Sequence, residues 1–410
     1  MRCRHCATPL EHTFLNLGFA PPSNAYLRRA ALSQPELYLP LHVKVCHSCW
    51  LVQTEDYVEA ENLFESDYAY FSSTSTGWLA HARTYSERMF AELNLDAESF
   101  VVEVASNDGY LLKNFVAAKI PCLGIEPTDS TAAAAEALGI PVTREFFGEQ
   151  LAVEIVDQYG KADLIVGNNV YAHVPDINNF TRGLAQLLKP GGTVTLEFPH
   201  LLPLIELCQF DTVYHEHFSY LSLLAVQSIF GKAGLRAYRV EPLQTHGGSL
   251  RVFACHHEAA IATQASVSDT LAMERACGLD ELAVYRSFQA SADAIKNQLL
   301  TFLLRVNRAS ASIAAYGAAA KGNTLLNYAG VKPDLLPFVC DAAKSKQGKF
   351  LPGSHIPILE PAALFEAKPD YVLILPWNLK EELIAELQSK LPGETCFVTV
   401  IPEIVYTPSS

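Results

Sequence analysis

Short apolar runs alternate with small polar loops and helical repeats along most of the chain, which is typical of an α/β protein. The pattern is clearest at residues 99–115. Residues 100–104 are mostly apolar and β-branched, residues 105–109 are small or polar, and the apolar positions of 110–115 recur at helical spacing. We therefore predict a buried strand, a tight loop and a helix, the unit with which doubly wound domains bind ligands beyond the carboxyl end of a strand.

The next apolar run indicates the kind of ligand. Residues 121–127 (PCLGIEP) predict a second strand that ends in Glu126. A carboxylate in that place can accept hydrogen bonds from both hydroxyls of a ribose. The preceding loop opens a helix, whose free N–H groups attract a carboxylate or phosphate. Gly109 is the only glycine of that loop, so the dinucleotide pattern Gly-x-Gly-x-x-Gly is not present. A crossover of this fold without any cofactor is the alternative.

The same alternation continues to about residue 256. Residues 140–142, 163–170 and 187–197 predict the third, fourth and fifth strands, with LKPGG as a turn between a helix and the fifth strand. Residues 245–253 predict a glycine-rich turn and a further strand that closes the sheet. The candidate ligand contacts at the ends of these strands are Asn168, Asn169, His246, Ser249 and Arg251.

A second α/β unit follows a long, alanine-rich helical segment at residues 258–306. Residues 312–316, 336–341 and 371–376 predict its strands. The loop after the first of these strands is rich in small residues, contains a lysine and opens a helix, which is where a phosphate would bind. These features predict a site for the diphosphate of a sugar nucleotide; a domain that only packs is the alternative. The candidate contacts are Lys321, Asn323 and Trp377.

Two Cys-x-x-Cys pairs lie near the N-terminus, Cys3 with Cys6 and Cys46 with Cys49. Each pair can place two thiolates on one metal ion, and together they complete a tetrahedral zinc site. Four thiolates leave no open position for water, so we expect a structural metal. A redox-active dithiol is the competing interpretation.

Residues 210–220 (FDTVYHEHFSY) hold the densest cluster of titratable side chains in the chain. A histidine such as His217 can take a proton near neutral pH, and a tyrosine such as Tyr214 can donate to a developing oxyanion. The cluster therefore favours acid–base catalysis. A metal site built from His215, Glu216 and His217, or a purely structural cluster, is the alternative.

Composition narrows the class of protein. The chain has 410 residues, a formal net charge of −14 and a hydrophobic fraction of one half, which predicts two or three domains. The acidity argues against a general nucleic-acid binder. No apolar run reaches transmembrane length and the N-terminus has no apolar signal core, so we expect a soluble cytoplasmic protein without a membrane partner. Six further cysteines are scattered, which argues against a disulfide scaffold.

Taken in order, the motifs resemble the sugar C-methyltransferases of the TylC3 and TcaB9 type, which methylate a ring carbon of nucleotide-linked keto-deoxysugars. Ala105 and Asn107 stand where class I methyltransferases usually carry glycine, but the family shares this departure. The matching segments are CRHC with CHSC, APPSNAYL, FESDYAYFSSTS, VEVASNDGYLL, GIEPT, NNVYAHVPD, YHEHFSYLS, THGGSLRVF, YGAAAKGNTLLN and CDAAKSKQGKFLPG.

The resemblance implies a zinc-binding lobe at residues 1–70, a class I S-adenosylmethionine (SAM) methyltransferase domain at 71–256, a helical linker at 257–306 and a Rossmann-like domain that holds the nucleotide-sugar at 307–410. It implies structural Zn²⁺ and SAM as cofactors and a nucleotide-linked sugar as substrate. The usual carrier in the family is dTDP, and the motifs leave GDP and CDP as alternatives. The protein is expected to be a monomer or a weak homo-oligomer.

The resemblance and the residues together assign the candidate site. The zinc ligands are Cys3, Cys6, Cys46 and Cys49. The SAM site is formed by Glu103, Ser106, Asn107, Asp108, Gly109, Glu126, Pro127, Phe146, Asn168 and Asn169. The catalytic side chains are Tyr68, His173, Tyr214, Glu216 and His217. The remaining substrate contacts are Tyr70, His215, His246, Ser249, Arg251, Lys321, Asn323 and Trp377.

The chemistry of these groups predicts a mechanism. A C–H bond next to a ketone is acidic enough to give a carbon nucleophile, and we expect His217 to remove that proton. Tyr214, together with His173, is expected to hydrogen-bond the resulting enolate. Two alternatives remain, an O- or N-methyltransferase acting on a sugar or other small acceptor, and a nucleotide-sugar-binding protein without catalytic activity.

Overall fold

The computed structural model describes residues 1–55, 71–391 and 393–409, and these residues form three β-sheets with helices packed between and around them. The strands are β1 (His12–Ala20), β2 (Leu39–Val45), β3 (Val52–Thr54), β4 (Val101–Val104), β5 (Cys122–Ile125), β6 (Val142–Thr143), β7 (Ala162–Asn168), β8 (Leu188–Pro199), β9 (Ser219–Tyr220), β10 (Leu235–Leu243), β11 (Ser249–His256), β12 (Ile313–Tyr316), β13 (Val339–Cys340), β14 (Ile358–Leu359), β15 (Tyr371–Ile374), β16 (Cys396–Thr399) and β17 (Val405–Pro408).

The α-helices are Thr76–Glu92, Leu112–Ala117, Asp129–Glu136, Glu149–Tyr159, Ile177–Leu187, Leu201–Glu206, Leu223–Lys232, Ala265–Ala276, Leu282–Arg308, Ala320–Tyr328, Pro361–Ala367 and Lys380–Gln388. Among the described residues, no helix is both long and apolar enough to cross a membrane.

The central sheet has seven strands in the order β10-β11-β8-β7-β4-β5-β6. Strands β4 to β8 are parallel, and β11 runs antiparallel to both of its neighbours. The residues of β4 and β5 are all buried, because helices cover both faces of the sheet. This confirms the doubly wound methyltransferase sheet, in which the ends of β4, β5 and β7 meet at one edge.

The segment LKPGG is not a separate turn. The helix that precedes it ends at Leu187 and β8 begins at Leu188. Ala162 pairs with Leu188 but Leu164 pairs with Thr193, so the extra residues are absorbed as a shift in register against β7. The predicted turn was therefore wrong, whereas the strand after it is confirmed.

The C-terminal sheet has the order β14-β13-β12-β15-β16-β17, with only β17 antiparallel to its neighbour. The predicted small-residue loop lies between β12 and the helix Ala320–Tyr328. Its Gly317 has a φ of 88°, and a Cβ atom there would lie 2.4 Å from Cδ of Pro376. Asp341, directly after β13, accepts a hydrogen bond from the backbone N–H of Ala318 at 2.8 Å and thereby holds the loop.

The N-terminal lobe completes its sheet with residues from far along the chain. Its order is β1-β2-β3-β9, and Gln53 of β3 pairs with Ser219 of β9. The proline-rich loop after β1 reaches the C-terminal domain, where the Tyr26 hydroxyl donates to the carbonyl of Ala318 at 2.7 Å. The lobe therefore contacts both of the other domains.

Four cysteine sulfurs converge within this lobe. The Sγ atoms of Cys3 and Cys49 lie 3.6 Å apart, those of Cys6 and Cys46 lie 3.5 Å apart, and all four lie within 4.8 Å of one another. A tetrahedral zinc ion with Zn–S bonds of about 2.3 Å requires sulfur separations of about 3.8 Å. The cluster therefore fits a structural zinc ion, and the closest pairs join the two motifs rather than the cysteines of one Cys-x-x-Cys pair, which argues against a redox dithiol.

We predict that Cys46→Ser removes the metal and destabilises the protein, since the metal joins the loop at residues 3–6 to the loop at residues 46–49. Metal analysis should give about one zinc ion per chain in the wild type and far less in the variant. The melting temperature should fall by about 10 °C. Cys396→Ser, which alters a cysteine outside the cluster, is the matched control; an equal loss of stability in both variants would contradict the assignment.

Candidate functional site

The loop after β4 adopts an unusual backbone conformation. Ala105, Asn107 and Gly109 have positive φ angles of 59°, 49° and 77°. Glycine enters this region without strain, asparagine tolerates it, and alanine does so only under constraint. The loop thus keeps a glycine-like shape although only Gly109 is a glycine. A Cβ atom at Gly109 would lie 2.4 Å from Cδ1 of Ile140, so this position also requires a residue without a side chain.

Glu126 connects this loop to the end of β5. One of its carboxylate oxygens accepts from the backbone N–H of Asn107 at 2.9 Å, and the other accepts from that of Thr128 at 3.0 Å. On the opposite side of the loop, the backbone N–H groups of Ser72 and Ser73 donate to the side chains of Asn107 and Asp108 at 2.9 and 3.0 Å. The two sets of hydrogen bonds fix the loop between β5 and the segment before the helix Thr76–Glu92.

Several buried polar atoms at this edge have no hydrogen-bond partner among the described residues. They are Oγ of Ser106, Oδ1 of Asp108, Oδ1 of Asn168 and Oδ1 of Asn169. The buried Glu103 carboxylate lies beside them and faces the Tyr110 hydroxyl.

Nearly all of these atoms are acceptors, and the field around them is negative. Burial raises the pKa of Glu103 well above its usual range; the Tyr110 hydroxyl opposes this, and the charges of Glu126 and Asp108 add to it. A buried group of acceptors with this charge is suited to a ligand that carries N–H donors and a positive charge. The amino group and sulfonium of SAM have these properties, so the residues present fit that cofactor.

Two predicted cofactor contacts lie at the margin of this group. Pro127 is half-buried beside Glu126, and the Phe146 side chain is 49% exposed on the segment after β6. Sequence analysis missed an aromatic residue in the site, Trp78, whose ring lies 5.9 Å from that of Tyr110 and 5.6 Å from that of His246. Its place one turn after the hydroxyl-rich segment 72–75 could have indicated it.

A tight turn brings three rings together next to this edge. The carbonyl of Tyr214 accepts from the backbone N–H of His217 at 3.0 Å, which closes a turn and places the two rings 4.1 Å apart. The ring of His173 lies 4.6 Å from that of His217. The structure therefore gathers Tyr214, His173 and His217, three of the predicted catalytic side chains.

Backbone carbonyls determine which histidine nitrogens carry protons. Nδ1 of His217 lies 3.1 Å from the carbonyl of Thr212, and Nδ1 of His173 lies 2.8 Å from that of Glu216. A carbonyl can only accept, so each Nδ1 is protonated and each Nε2 carries a lone pair in the neutral ring. Burial lowers the pKa of His173 to about 4 and, with the nearby His173, lowers that of His217 well below its usual value. Both rings are neutral at pH 7.

His217 and His173 are consequently suited to different roles in catalysis. Nε2 of His217 is an available base. Nε2 of neutral His173 accepts hydrogen bonds and cannot donate one to an enolate, so the donor role expected for His173 does not fit its tautomer. Its donated hydrogen bond instead holds the carbonyl of Glu216.

The side chains adjacent to His217 point elsewhere. Nε2 of His215 donates to the carbonyl of Pro40 at 3.2 Å, and a carboxylate oxygen of Glu216 accepts from the Asn24 side chain at 2.8 Å. Burial raises the pKa of Glu216 to about 7, which the Asn24 hydrogen bond opposes. Both side chains thus face the N-terminal lobe. Among the described residues, the four cysteines are the only group of three or more ligand side chains arranged for a metal ion, so the alternative metal site at residues 215–217 has no support.

The C-terminal domain contributes a second group of polar residues. The Trp377 indole N–H donates to a carboxylate oxygen of Asp211 at 2.7 Å. The Lys321 ammonium lies 4.6 Å from the centre of the Trp377 ring and donates to Oδ1 of Asn378 at 2.7 Å. Burial raises the pKa of Asp211 to about 6, and the charge of Lys321 and the hydrogen bond from Trp377 oppose this rise. The sequence motifs did not indicate a role for Asp211.

Asn323, another predicted substrate contact, is buried. Its side-chain nitrogen lies 3.4 Å from the carbonyl oxygen of Ser23.

The glycine-rich turn before β11 lies between these groups. His246 has a φ of 56°, and its Nε2 lies 3.1 Å from the side-chain nitrogen of Asn169. That nitrogen is a donor, so His246 accepts there. Gly247 packs against Trp377, where a Cβ atom would lie 2.4 Å from the indole ring. The turn therefore joins the cofactor edge to the C-terminal domain.

Ser249 and Arg251 form hydrogen bonds within the protein. The Ser249 hydroxyl donates to the carbonyl of Thr245 at 3.0 Å. The buried Arg251 guanidinium donates to Glu197 at 2.5 Å and stacks over the Tyr85 ring at 4.5 Å. These contacts support the end of β8 from within the sheet; a substrate contact by either side chain stays a prediction. Tyr68 and Tyr70 lie outside the described residues.

Three family models match successive segments of the chain. Residues 244–402 match the family described as "C-methyltransferase C-terminal domain", residues 79–240 match "Methyltransferase domain", and residues 3–64 match "Putative zinc binding domain". Among solved structures, a magnesium protoporphyrin IX methyltransferase from Synechocystis PCC 6803 is 19% identical, with 44% of this chain and 84% of that chain covered and a TM-score of 0.35.

A curated relative covers nearly the whole chain. The protein is 33% identical over 401 residues to the C-methyltransferase NovU of Streptomyces niveus, with 98% of this chain and 95% of NovU covered. The order of the three matched segments is the order that the sequence predicted. The chain therefore belongs to the family of C-methyltransferases that includes NovU.

Proposed function

We propose that the protein transfers a methyl group from SAM to a ring carbon of a nucleotide-linked keto-deoxysugar, with dTDP as the nucleotide. The observation that carries this proposal is the position of a neutral, buried histidine base beside an acceptor-rich cofactor pocket. Asn169 of that pocket lies four residues before His173, whose ring is 4.6 Å from that of His217. The name of NovU supports carbon as the methylated atom.

The cofactor pocket would be held by the residues around the β4 loop. Asp108 and Asn168 offer unpaired acceptors, and Glu103 adds a carboxylate. Glu126 would accept the ribose hydroxyls with the remaining lone pairs of its carboxylate while it keeps its backbone partners. When bound, SAM supplies an electrophilic methyl group on a sulfonium.

The turn at residues 214–217, which we name the catalytic turn for its proposed role, supplies the base and one donor. Nε2 of His217 removes the proton from the carbon next to the ketone, and the electron pair of that C–H bond moves toward the carbonyl oxygen to give an enolate. The Tyr214 hydroxyl, beside the His217 ring, donates to that oxygen. Fixed placement of these groups supplies much of the rate by reducing the entropy lost in reaching the transition state.

The nucleotide-sugar would lie between the central and C-terminal domains. The segment after β7 and the catalytic turn form one wall. The Trp377 region and the first turn of the helix Ala320–Tyr328 form the other. The proline-rich loop of the N-terminal lobe closes one end through Asn24 and Tyr26.

Calorimetric titration tests this function directly. We expect S-adenosylhomocysteine to bind the purified protein, and dTDP, but not GDP or CDP, to bind in its presence. If GDP or CDP binds and dTDP does not, the nucleotide that carries the sugar is the one that binds. Failure of every nucleotide would indicate an acceptor that is not a nucleotide-sugar, and failure of S-adenosylhomocysteine would refute a SAM-dependent enzyme.

Cofactor binding should depend on pH through Glu103. Its pKa is raised in the free protein, and a cationic ligand favours the charged carboxylate, so binding of SAM should release a proton. Affinity should therefore rise with pH by up to about tenfold per unit between the bound-state and free-state pKa values. Glu103→Gln should weaken binding and flatten this profile, whereas the exposed control Glu98→Gln should retain it. A pH-independent affinity in the wild type would contradict the role of Glu103.

His217→Asn should bind S-adenosylhomocysteine and dTDP normally but lose turnover by about 10²- to 10⁴-fold, because the base is missing while its neighbours are not. Product formation can be followed by NMR, where the chemical shift of the new methyl carbon also separates C-methylation from O- or N-methylation. His257→Asn, which changes an exposed histidine, is the control. Retained turnover in His217→Asn would remove His217 from the base role.

A further inference from the structure

The helix Ala320–Tyr328 of the C-terminal domain lies against the segment that carries the catalytic turn. Thr324 donates through its hydroxyl to the carbonyl of Val213 at 3.0 Å, and Val213 directly precedes Tyr214. Lys321 lies three residues before Thr324, so the two side chains share one face of the helix. That face is therefore directed at the start of the catalytic turn.

The Lys321 side chain is half-buried, and its ammonium contacts neutral groups. It donates to the Asn378 amide oxygen and lies over the face of the Trp377 ring, and it forms no ion pair within 4.0 Å in the described part of the chain. Burial lowers the pKa of Lys321, and the charge of Asp211 opposes this. A partly buried cation whose nearest partners are neutral is well placed to bind a ligand that supplies negative charge.

The contacts of Lys321 also reach toward the catalytic turn. The Trp377 ring that it lies over packs against Gly247, next to His246, and donates to Asp211, three residues before Tyr214. The ammonium therefore lies between the nucleotide loop, where the sequence placed it, and the segment that carries His217. Its charge adds to the lowering of the pKa of His217, after burial and the neighbouring His173 and His246.

We propose that the Lys321 ammonium is a catalytic group, which donates a hydrogen bond to the substrate oxygen that becomes negative when His217 takes the proton. This inference rests on the proposed function. The C–H bond breaks, its proton goes to Nε2 of His217, and its electron pair forms the C=C bond while the carbonyl electron pair moves to oxygen. Lys321 keeps its proton throughout.

A weak base makes stabilisation of the enolate more important. Burial and the neighbouring His173 lower the pKa of His217 well below the usual histidine value, so it is a weak proton acceptor. The hydroxyls whose rings lie near His217 in the described part of the chain belong to Tyr214 and Tyr220, and both are neutral donors. A charged donor forms hydrogen bonds about twice as strong as a neutral one, and a buried site strengthens the interaction further.

Hydrogen–deuterium exchange at the substrate carbon isolates this step. The wild-type enzyme, saturated with S-adenosylhomocysteine, is mixed in D₂O with a dTDP-linked keto-deoxyhexose, and NMR follows loss of the α-proton. We expect Lys321→Gln to exchange at least about 100-fold more slowly at saturating sugar, with the Kd for dTDP within twofold of wild type. Lys321→Arg, which keeps the charge, should recover part of the rate. Lys390→Gln, an exposed lysine of the same domain, is the control.

The outcomes separate this role from the alternatives. A Kd for dTDP that rises at least tenfold in Lys321→Gln, with unchanged exchange at saturation, would assign Lys321 to the diphosphate and overturn the proposal. Unchanged exchange and binding would overturn it as well. Failure of the wild type to bind S-adenosylhomocysteine or dTDP would overturn the proposed function itself. Thermal melting of both Lys321 variants serves as the check that each is folded; the charge-retaining Lys321→Arg keeps the test decisive if Lys321→Gln does not fold.

Discussion

The site depends on the hydrogen bonds that fix one short segment, residues 211–220, to all three parts of the protein. The C-terminal domain holds it through Trp377 on Asp211 and through Thr324 on the carbonyl of Val213. The N-terminal lobe holds it through Asn24 on Glu216 and through the pairing of β9 with β3. The central domain adds the bond from His173 to the carbonyl of Glu216. A turn held at so many points can keep an uncharged histidine in one tautomer and one orientation.

In both the central and the C-terminal domain a carboxylate holds the loop after the first strand, but the charge around the two carboxylates differs. In each, an acidic residue after the second strand accepts a backbone N–H from the loop after the first strand, Glu126 from Asn107 and Asp341 from Ala318. Asp341 also lies 3.3 Å from the Lys346 ammonium, so its charge is balanced within the protein. Glu126 instead lies beside further carboxylates, which leaves the central loop suited to a cationic ligand.

Sequence reasoning predicted the order of the strands, the cysteine cluster and the members of the catalytic turn, because each depends on local pattern or on a short motif. It did not predict the direction of side chains whose partners lie far along the chain. His215 and Glu216 face the N-terminal lobe although they precede His217 directly, and Arg251 pairs with Glu197 inside the sheet. Such directions are decided by tertiary contacts that leave no periodic signal in the sequence.

Strand β9 has a consequence for how the protein is made. The metal-binding lobe draws on residues 3–54, yet its sheet has four strands only when Ser219 and Tyr220 are in place. During synthesis, about two hundred residues therefore leave the ribosome before the fourth strand of this sheet can pair. That strand begins two residues after His217. A chain without the lobe would leave β9 without its partner β3, directly beside the proposed base, so the lobe is not separable from the site without loss of that support.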